Sequence, residues 1–487
     1  MKRTLSKALA FALALALLAG CGLVRALAVT DAQWDAIWEE IDAKQSVVAF
    51  TPGSDETQRS FAWQSGRNLQ PVPGAQFFPP LVHLSKSAGM SSAATFTGTI
   101  ELNPLTGLVT NYVTVKDLAP NMTYYYQCED QARGKSAVYS FTTGPMDGRV
   151  KAVMFSDIHI KSDEAQGVDE KSSGRIWNDA LEQALAREPD ADLVLAAGDN
   201  ANVGAPREYL GLFAPPALKS IPFAACMGNH DKKAFNFKYY MNNPNAYEAR
   251  FGSLQGGDYW FRQGDVLFLV YDSTNGSACD HYGFTEAACK ANSDAKWRVA
   301  MYHHDLHASL APVQGFEEFA LQLILDPIMT HFDVDAVFSG HSHRYVRTHV
   351  LRNGRLAQLT HGGEITDPRG TVHFNNTSVV HVSGGTTAGF NPQNAFVYCE
   401  PNTVTYNVLS FEGGRFNVKA RKVEDGAVID EFTIVKSEGN TPRTALLPPL
   451  GYNIVRVLTG IYAMIAWIND TNTLRELAGD QLFRIAF

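Results

Sequence analysis

Five apolar runs in this chain each break off directly into side chains that bind metal ions. Residues 150–155 lead into Ser156-Asp157-Ile158-His159, and residues 193–197 into Gly198-Asp199-Asn200. Residues 221–227 lead into Gly228-Asn229-His230-Asp231, residues 299–302 into His303-His304, and residues 334–338 into Gly340-His341-Ser342-His343. Short continuous apolar runs are the mark of strands covered on both faces. Amphipathic helical patterns lie between them: Ile176, Trp177, Ala180, Leu181, Ala184 and Leu185 fall on one face before Pro189 stops the helix. Strands alternating with helices give an α/β fold, and groups at the carboxyl ends of such strands converge on one crevice. A sixth run, residues 266–271, ends in Asp272, which is expected to be structural.

The donor types restrict the ions. Imidazole and carboxylate suit zinc, iron and manganese, and no cysteine joins the set. Asp157, His159, Asp199, Asn229, His303, His341 and His343 are too many for one ordinary site and suit two ions sharing a carboxylate. Asp199 is the expected bridge, with one oxygen facing each ion. In Asp157-Ile158-His159 and His341-Ser342-His343, an extended backbone would turn both outer side chains to one side. Gly198, Gly228 and Gly340 fit turns where the chain must bend or leave room. Each fragment alone is weak. Five in order, each after a strand-like run, define a site.

Ahead of this region, residues 45–146 read as a small β domain. Short β-rich runs at 47–50, 60–63, 94–102, 112–115, 123–128 and 138–142 are separated by Pro, Gly and Asn, as in a sandwich. Leu118-Ala119-Pro120 followed by Tyr124 resembles the tyrosine corner of fibronectin type III domains. After residue 395, runs at 404–410, 416–420 and 432–435 are expected to complete the sheets of a domain spanning 148–437. The tail, 438–487, holds an apolar stretch at 454–468 interrupted by Arg456, which suits a packed helix better than a membrane span. Residues 29–44 form a helical segment before the β domain.

The first 28 residues read as an export signal. Lys2, Arg3 and Lys7 precede an apolar run at 8–18 that is too short to span a bilayer. Leu18-Ala19-Gly20-Cys21 then resembles a bacterial lipobox, whose cysteine is lipidated; cleavage after Ala28 is the alternative. The protein is therefore expected to be a surface or periplasmic lipoprotein attached to a membrane through Cys21, or secreted. Cys279 and Cys289 form the best candidate disulfide, in a stretch read as a loop, and Cys226 reads as a buried thiol. A net charge of -9 argues against nucleic acid as a partner.

The ordered donor set resembles the calcineurin-like metallophosphoesterase superfamily over about residues 150–347. The preceding β domain is similar to that of purple acid phosphatases and their bacterial relatives. Gly340-His341-Ser342-His343-Arg344-Tyr345-Val346-Arg347, and Asp367-Pro368-Arg369-Gly370-Thr371 followed by Gly384-Gly385, resemble segments of that group. The resemblance implies a two-sheet sandwich flanked by helices, preceded by an all-β fibronectin-like domain. It assigns one divalent ion (Mn, Fe or Zn) to Asp157, His159, Asp199 and His343, and a second to Asp199, Asn229, His303 and His341. His303 is favoured over His304 because it follows its strand directly. His230 is expected to act on the phosphate or leaving group, and His307 and Arg347 to touch substrate. Purple acid phosphatases place a tyrosine ligand where this chain has Asn202, so His159 should take its place and the centre should be colourless. The implied activity is hydrolysis of a small-molecule phosphate ester by a metal-activated water, monoesters favoured. A phosphodiesterase or nucleotidase is the alternative within the class, and a catalytically dead surface binding protein the alternative outside it.

Overall fold

Alternation within the apolar runs sorts their side chains between separate cores. In the strand Val150–Phe155, Val150, Ala152 and Met154 face one core while Val153 and Phe155 face another. Leu193–Ala196 divides the same way. This computed structural model describes residues 28–67, 78–161, 168–250, 254, 256–307, 316–360, 362–380, 395–397, 403–438 and 450–478. The signal segment with Cys21, and Gly384-Gly385, lie outside the described residues.

Two sheets stack through the core they share. The first has the spatial order Phe223–Ala225, Leu193–Ala196, Val150–Phe155, Thr405–Glu412, Arg415–Lys422, Val428–Val435, Glu364–Thr366. Its first three strands are parallel. The second runs Tyr259–Gln263, Val266–Val270, Trp297–Met301, Ala336–Ser339, Thr371–Asn375, Val346–Arg352, Arg355–Gln358, with Ala395–Val397 beside Val346–Arg352. Phe268, Val299, Phe338, Phe411 and Phe416 fill the space between the sheets. Helix Glu170–Arg187 covers the outer face of the first sheet and helices Ala278–Ala291 and Phe316–His331 that of the second. The predicted crevice is thus formed by the strand ends of two sheets.

In Glu170–Arg187, Asp169 caps the start, its side chain accepting from Ser172 N at 2.8 Å. Trp177, Ala180, Leu181 and Ala184 are buried as the periodicity predicts, but Ile176 points to solvent. The buried stripe is narrower than the apolar one, because only one side of the helix meets the sheet.

Among the described residues, the N-terminal β domain has a four-stranded and a five-stranded sheet closing on Phe50, Phe61, Val82 and Tyr126. The Ala119 N–H donates to the Tyr124 hydroxyl at 2.9 Å, forming the expected corner. The strand Leu81–Ser85 has no counterpart in the sequence reading. The domain is bonded to the second one: Gln64 donates to Tyr239 O at 2.8 Å, Asn103 to Asn236 Oδ1 at 2.8 Å, and Lys219 Nζ to Val48 O at 2.8 Å.

The disulfide expectation fails. Cys279 and Cys289 both lie on helix Ala278–Ala291 and both are free. Ten residues along a helix separate them by about 15 Å, well beyond the reach of a bridge. The stretch is helical because Ser277 caps it, accepting from Asp280 N, and because Phe284 and Ala288 bury against the second sheet. Cys226 is buried as predicted.

The tail forms the helix Leu450–Ala478, anchored where Tyr452 Oη donates to Ile324 O at 3.0 Å. Ile454, Val457, Leu458, Ile461 and Ile465 remain exposed. Among the described residues, no helix is long and apolar enough to cross a membrane.

Candidate metal centre

Backbone pairing continues past the ends of the parallel strands and holds the ligand turns together. Asp157 N donates to Gly198 O at 3.0 Å, His159 N to Asp199 O at 2.9 Å, and Gly340 N to His303 O at 2.9 Å. The glycines are needed for space. A Cβ at Gly228 would stand 2.1 Å from Asp199 Oδ1, one at Gly340 2.2 Å from Asp157 Oδ2, and one at Gly198 2.7 Å from His303.

All seven predicted ligands meet in this crevice, in two groups. In the first, His159 Nε2 and His343 Nε2 face each other at 3.1 Å, and Asp157 Oδ1 lies 3.3 Å from His343 Nε2. In the second, Asn229 Oδ1 lies 3.1 Å from His303 Nε2 and 3.2 Å from His341 Nδ1. Asp199 joins the two. Its Oδ2 is 3.7 Å from His159 Nε2 and 3.1 Å from His303 Nε2. The expectation that each Asp199 oxygen faces one ion is therefore corrected: both groups converge on Oδ2, because Oδ1 accepts the His230 N–H at 2.8 Å.

A second correction concerns the backbone. Asp157 and His159 have φ of 49° and 51°, and His341 and His343 have 70° and 55°. These stretches are left-handed turns and not extended chain; Asp199, at 48°, shares the conformation. Ile158 still points away, into the first core, which leaves its neighbours free to face the crevice. Non-glycine residues seldom adopt this region, and such strain gathers at functional sites.

Burial opposes ionisation of Asp157 and Asp199, but His343 and His303 beside them hold both carboxyls below the usual range. Burial also drives the His159 ring down to about 3, leaving it neutral. His303 is the opposite case: burial opposes a proton, yet Asp199 raises its pKa to about 9. A cation in that place would displace the proton. The His303 Nδ1–H donates to Ala197 O at 2.9 Å, which leaves Nε2 as the ligand atom. His304 turns aside, its Nδ1 within 2.8 Å of Ser273 Oγ. Buried ionised carboxylates, neutral imidazole and paired nitrogens about 3 Å apart fit two divalent cations.

His230 stands beside the first group, its ring edge-on to that of His159 at 4.8 Å. Its Nδ1 is 2.6 Å from Asn202 O and donates there, so Nε2 is the atom left to face the crevice.

Two predicted substrate contacts are corrected. Arg347 is buried and forms a two-bonded ion pair with Asp430, at 2.7 and 3.0 Å, over the ring of Phe432. Tyr345 Oη donates to the same carboxylate at 2.8 Å. Both residues tie the His341–His343 turn to the strand Val428–Val435, because alternation along their own strand points them at the facing sheet. His307 is buried and turns its Nε2 to Asp326 Oδ1, 2.9 Å away, so the ring is withdrawn from the surface a substrate would reach.

Sequence reasoning missed the role of Asp231. Its Oδ2 accepts from Asn200 N at 3.1 Å, Asn200 Nδ2 at 3.0 Å and Gly228 N at 3.0 Å. Its Oδ1 accepts from Ala201 N at 3.0 Å and Tyr209 Oη at 3.2 Å. One carboxylate thus fastens the turn carrying Asp199 to the turn carrying Asn229. An aspartate in a glycine-bearing turn was the available signal.

Residues 150–345 match the calcineurin-like phosphoesterase family, and residues 44–143 match the purple acid phosphatase N-terminal domain. Residues 150–345 thus form a calcineurin-like phosphoesterase domain. The chain is 23% identical over 315 residues to purple acid phosphatase 15 of Arabidopsis thaliana, covering 56% of this chain and 54% of the relative. It is 22% identical over 362 residues to the probable inactive purple acid phosphatase 27 of the same plant, covering 66% and 57%. The chain thus spans about half the length of these curated relatives. The structure of a purple acid phosphatase from yellow lupin (Lupinus luteus) seeds superposes with a TM-score of 0.64 at 19% identity, covering 82% of this chain and 78% of that one. At that identity the likeness establishes the metallophosphoesterase fold alone.

Proposed function

We propose that this metallophosphoesterase is an exported enzyme that hydrolyses small phosphate esters, monoesters in preference to diesters, with two divalent cations in the crevice. The observation that carries the reading is the convergence of two donor groups on the single atom Asp199 Oδ2. Two cations held by these donors would supply charge neutralisation at phosphorus and a water acidified towards neutral pH.

The chain's own residues do the rest. Asp157, His159 and His343 hold one side of the site; Asn229, His303 and His341 hold the other. Asp199 fixes the distance between them. Asn202 O keeps the proton of His230 on Nδ1, which orients Nε2 toward the leaving group. In its protonated form His230 delivers a proton from Nε2 to the departing alkoxide oxygen. His159 fills the place of the tyrosine ligand, so the loaded protein is expected to be colourless.

The basic start, the apolar run at 8–18 and Cys21 support export with attachment to a membrane through a lipidated cysteine. Replacing Cys21 by Ser should release the protein from the membrane fraction; unchanged fractionation would refute the attachment.

A panel of phosphomonoesters and diesters, assayed with Mn, Zn, Fe, Co and Mg, tests the activity. Monoester turnover above diester turnover is expected. The reverse preference would make the protein a phosphodiesterase, and no hydrolysis by metal-loaded protein would make it a binding protein.

A further inference from the structure

A second collection of donors lies outside the dinuclear crevice. His307 comes from the turn after His303, Asp326 from helix Phe316–His331, and His373 from the strand Thr371–Asn375. One ligand atom of each lies within 4.8 Å of the other two. The His307 and His373 rings stand 4.4 Å apart at 70°, and His307 Nε2 is 2.9 Å from Asp326 Oδ1. All three are more than nine-tenths buried.

Two observations set this group apart from an ordinary buried ion pair. His307 Nδ1 is buried and has no hydrogen-bond partner among the described residues. His307 and His373 also line a small gap in the packing, with Leu306 and Val346 and with the polar side chains of Asp305, Ser339, Thr348 and Asn375. Around Asp326 the fold leaves room: Gly354, at φ +69°, is where a Cβ would come 2.2 Å from Asp326 Oδ2. Two imidazoles and a carboxylate sunk in a core cost more than apolar residues of the same size unless a further charge compensates them.

We propose that His307, Asp326 and His373 bind a third divalent cation, and that zinc suits the site. Two imidazoles and one carboxylate on three separate elements make a three-residue zinc set. A cation there would pin the turn after His303 to the helix and strand behind it, and would have a structural role. The proposal stands independently of the substrate reading.

The test is zinc-loaded full-length protein, counted by elemental analysis and located by anomalous diffraction at the zinc edge. Asp326→Asn and His373→Gln should each bind one zinc fewer than the unaltered protein, with phosphate-ester turnover within about twofold. An anomalous peak among His307, Asp326 and His373 is expected whatever occupies the crevice around Asp199. Equal zinc in the variants and the unaltered protein would overturn the proposal. If neither variant folds, the peak in the unaltered protein decides, and its absence sinks the site.

Discussion

His303 Nε2 lies 3.1 Å from Asp199 Oδ2, while the other oxygen of Asp199 is held by the His230 N–H. Asp199 thus links the two donor groups to the backbone of His230. His230→Ala should therefore lower kcat by roughly 10²–10⁴, and both ions should stay, because the Asp199 contact is made by backbone. Metal content measured alongside turnover checks this. Loss of either ion would show that the ring is itself a ligand.

Asp231 binds neither donor group but accepts three backbone N–H groups from two ligand turns. Asp231→Ala strands those buried donors, each costing about 1–3 kcal/mol. Stability should fall by at least about 2 kcal/mol, and metal affinity by roughly 10–100-fold. Denaturant unfolding and metal titration measure the two effects; a variant with unchanged midpoint would contradict the role.

Arg347 and Asp430 form a buried pair away from the crevice. Removing one partner of such a pair costs about 3–5 kcal/mol. Arg347→Met should lower the melting temperature while leaving KM within about twofold. A large rise in KM with normal stability would restore Arg347 as a substrate contact.

His281 gives a pH dependence that does not involve the metal ligands. Burial alone would strip its proton, but Asp258 Oδ2, 2.6 Å from Nδ1, and Asn275 O, 2.8 Å from Nε2, raise its pKa to about 9. A pKa raised on folding contributes stability that is complete below the unfolded value of about 6.5. That contribution fades as pH climbs through about 9. Between pH 6.5 and 9.5 the melting temperature should fall further in the unaltered protein than in His281→Gln. Parallel curves would show that the pair does not titrate in this range.

The ligand set was legible because its signal is local. A strand that ends in Asp-x-His or Gly-Asp announces both its face and its chemistry within a few residues. Arg347 misled because its motif names the residue but not the sheet it faces; only the packing of Val428–Val435 behind it decides. Cys279 and Cys289 misled because polar residues with glycine read as a loop, whereas burial of Phe284 and Ala288 made a helix. The left-handed turns were invisible for another reason. Aspartate and histidine enter that conformation more readily than most residues but still seldom, so surrounding bonds such as Asp157 N to Gly198 O are needed to fix it.

Those turns set terms for the protein's life before it meets substrate. At five ligand positions the backbone adopts a shape better suited to glycine, yet each must keep a coordinating side chain. Ions that bind only the folded turns offset this strain, so loading and folding are linked. A copy made under metal starvation would open first at the crevice, where proteases cut, while its sheets stayed closed. Supply of the ions would then govern how much intact protein accumulates.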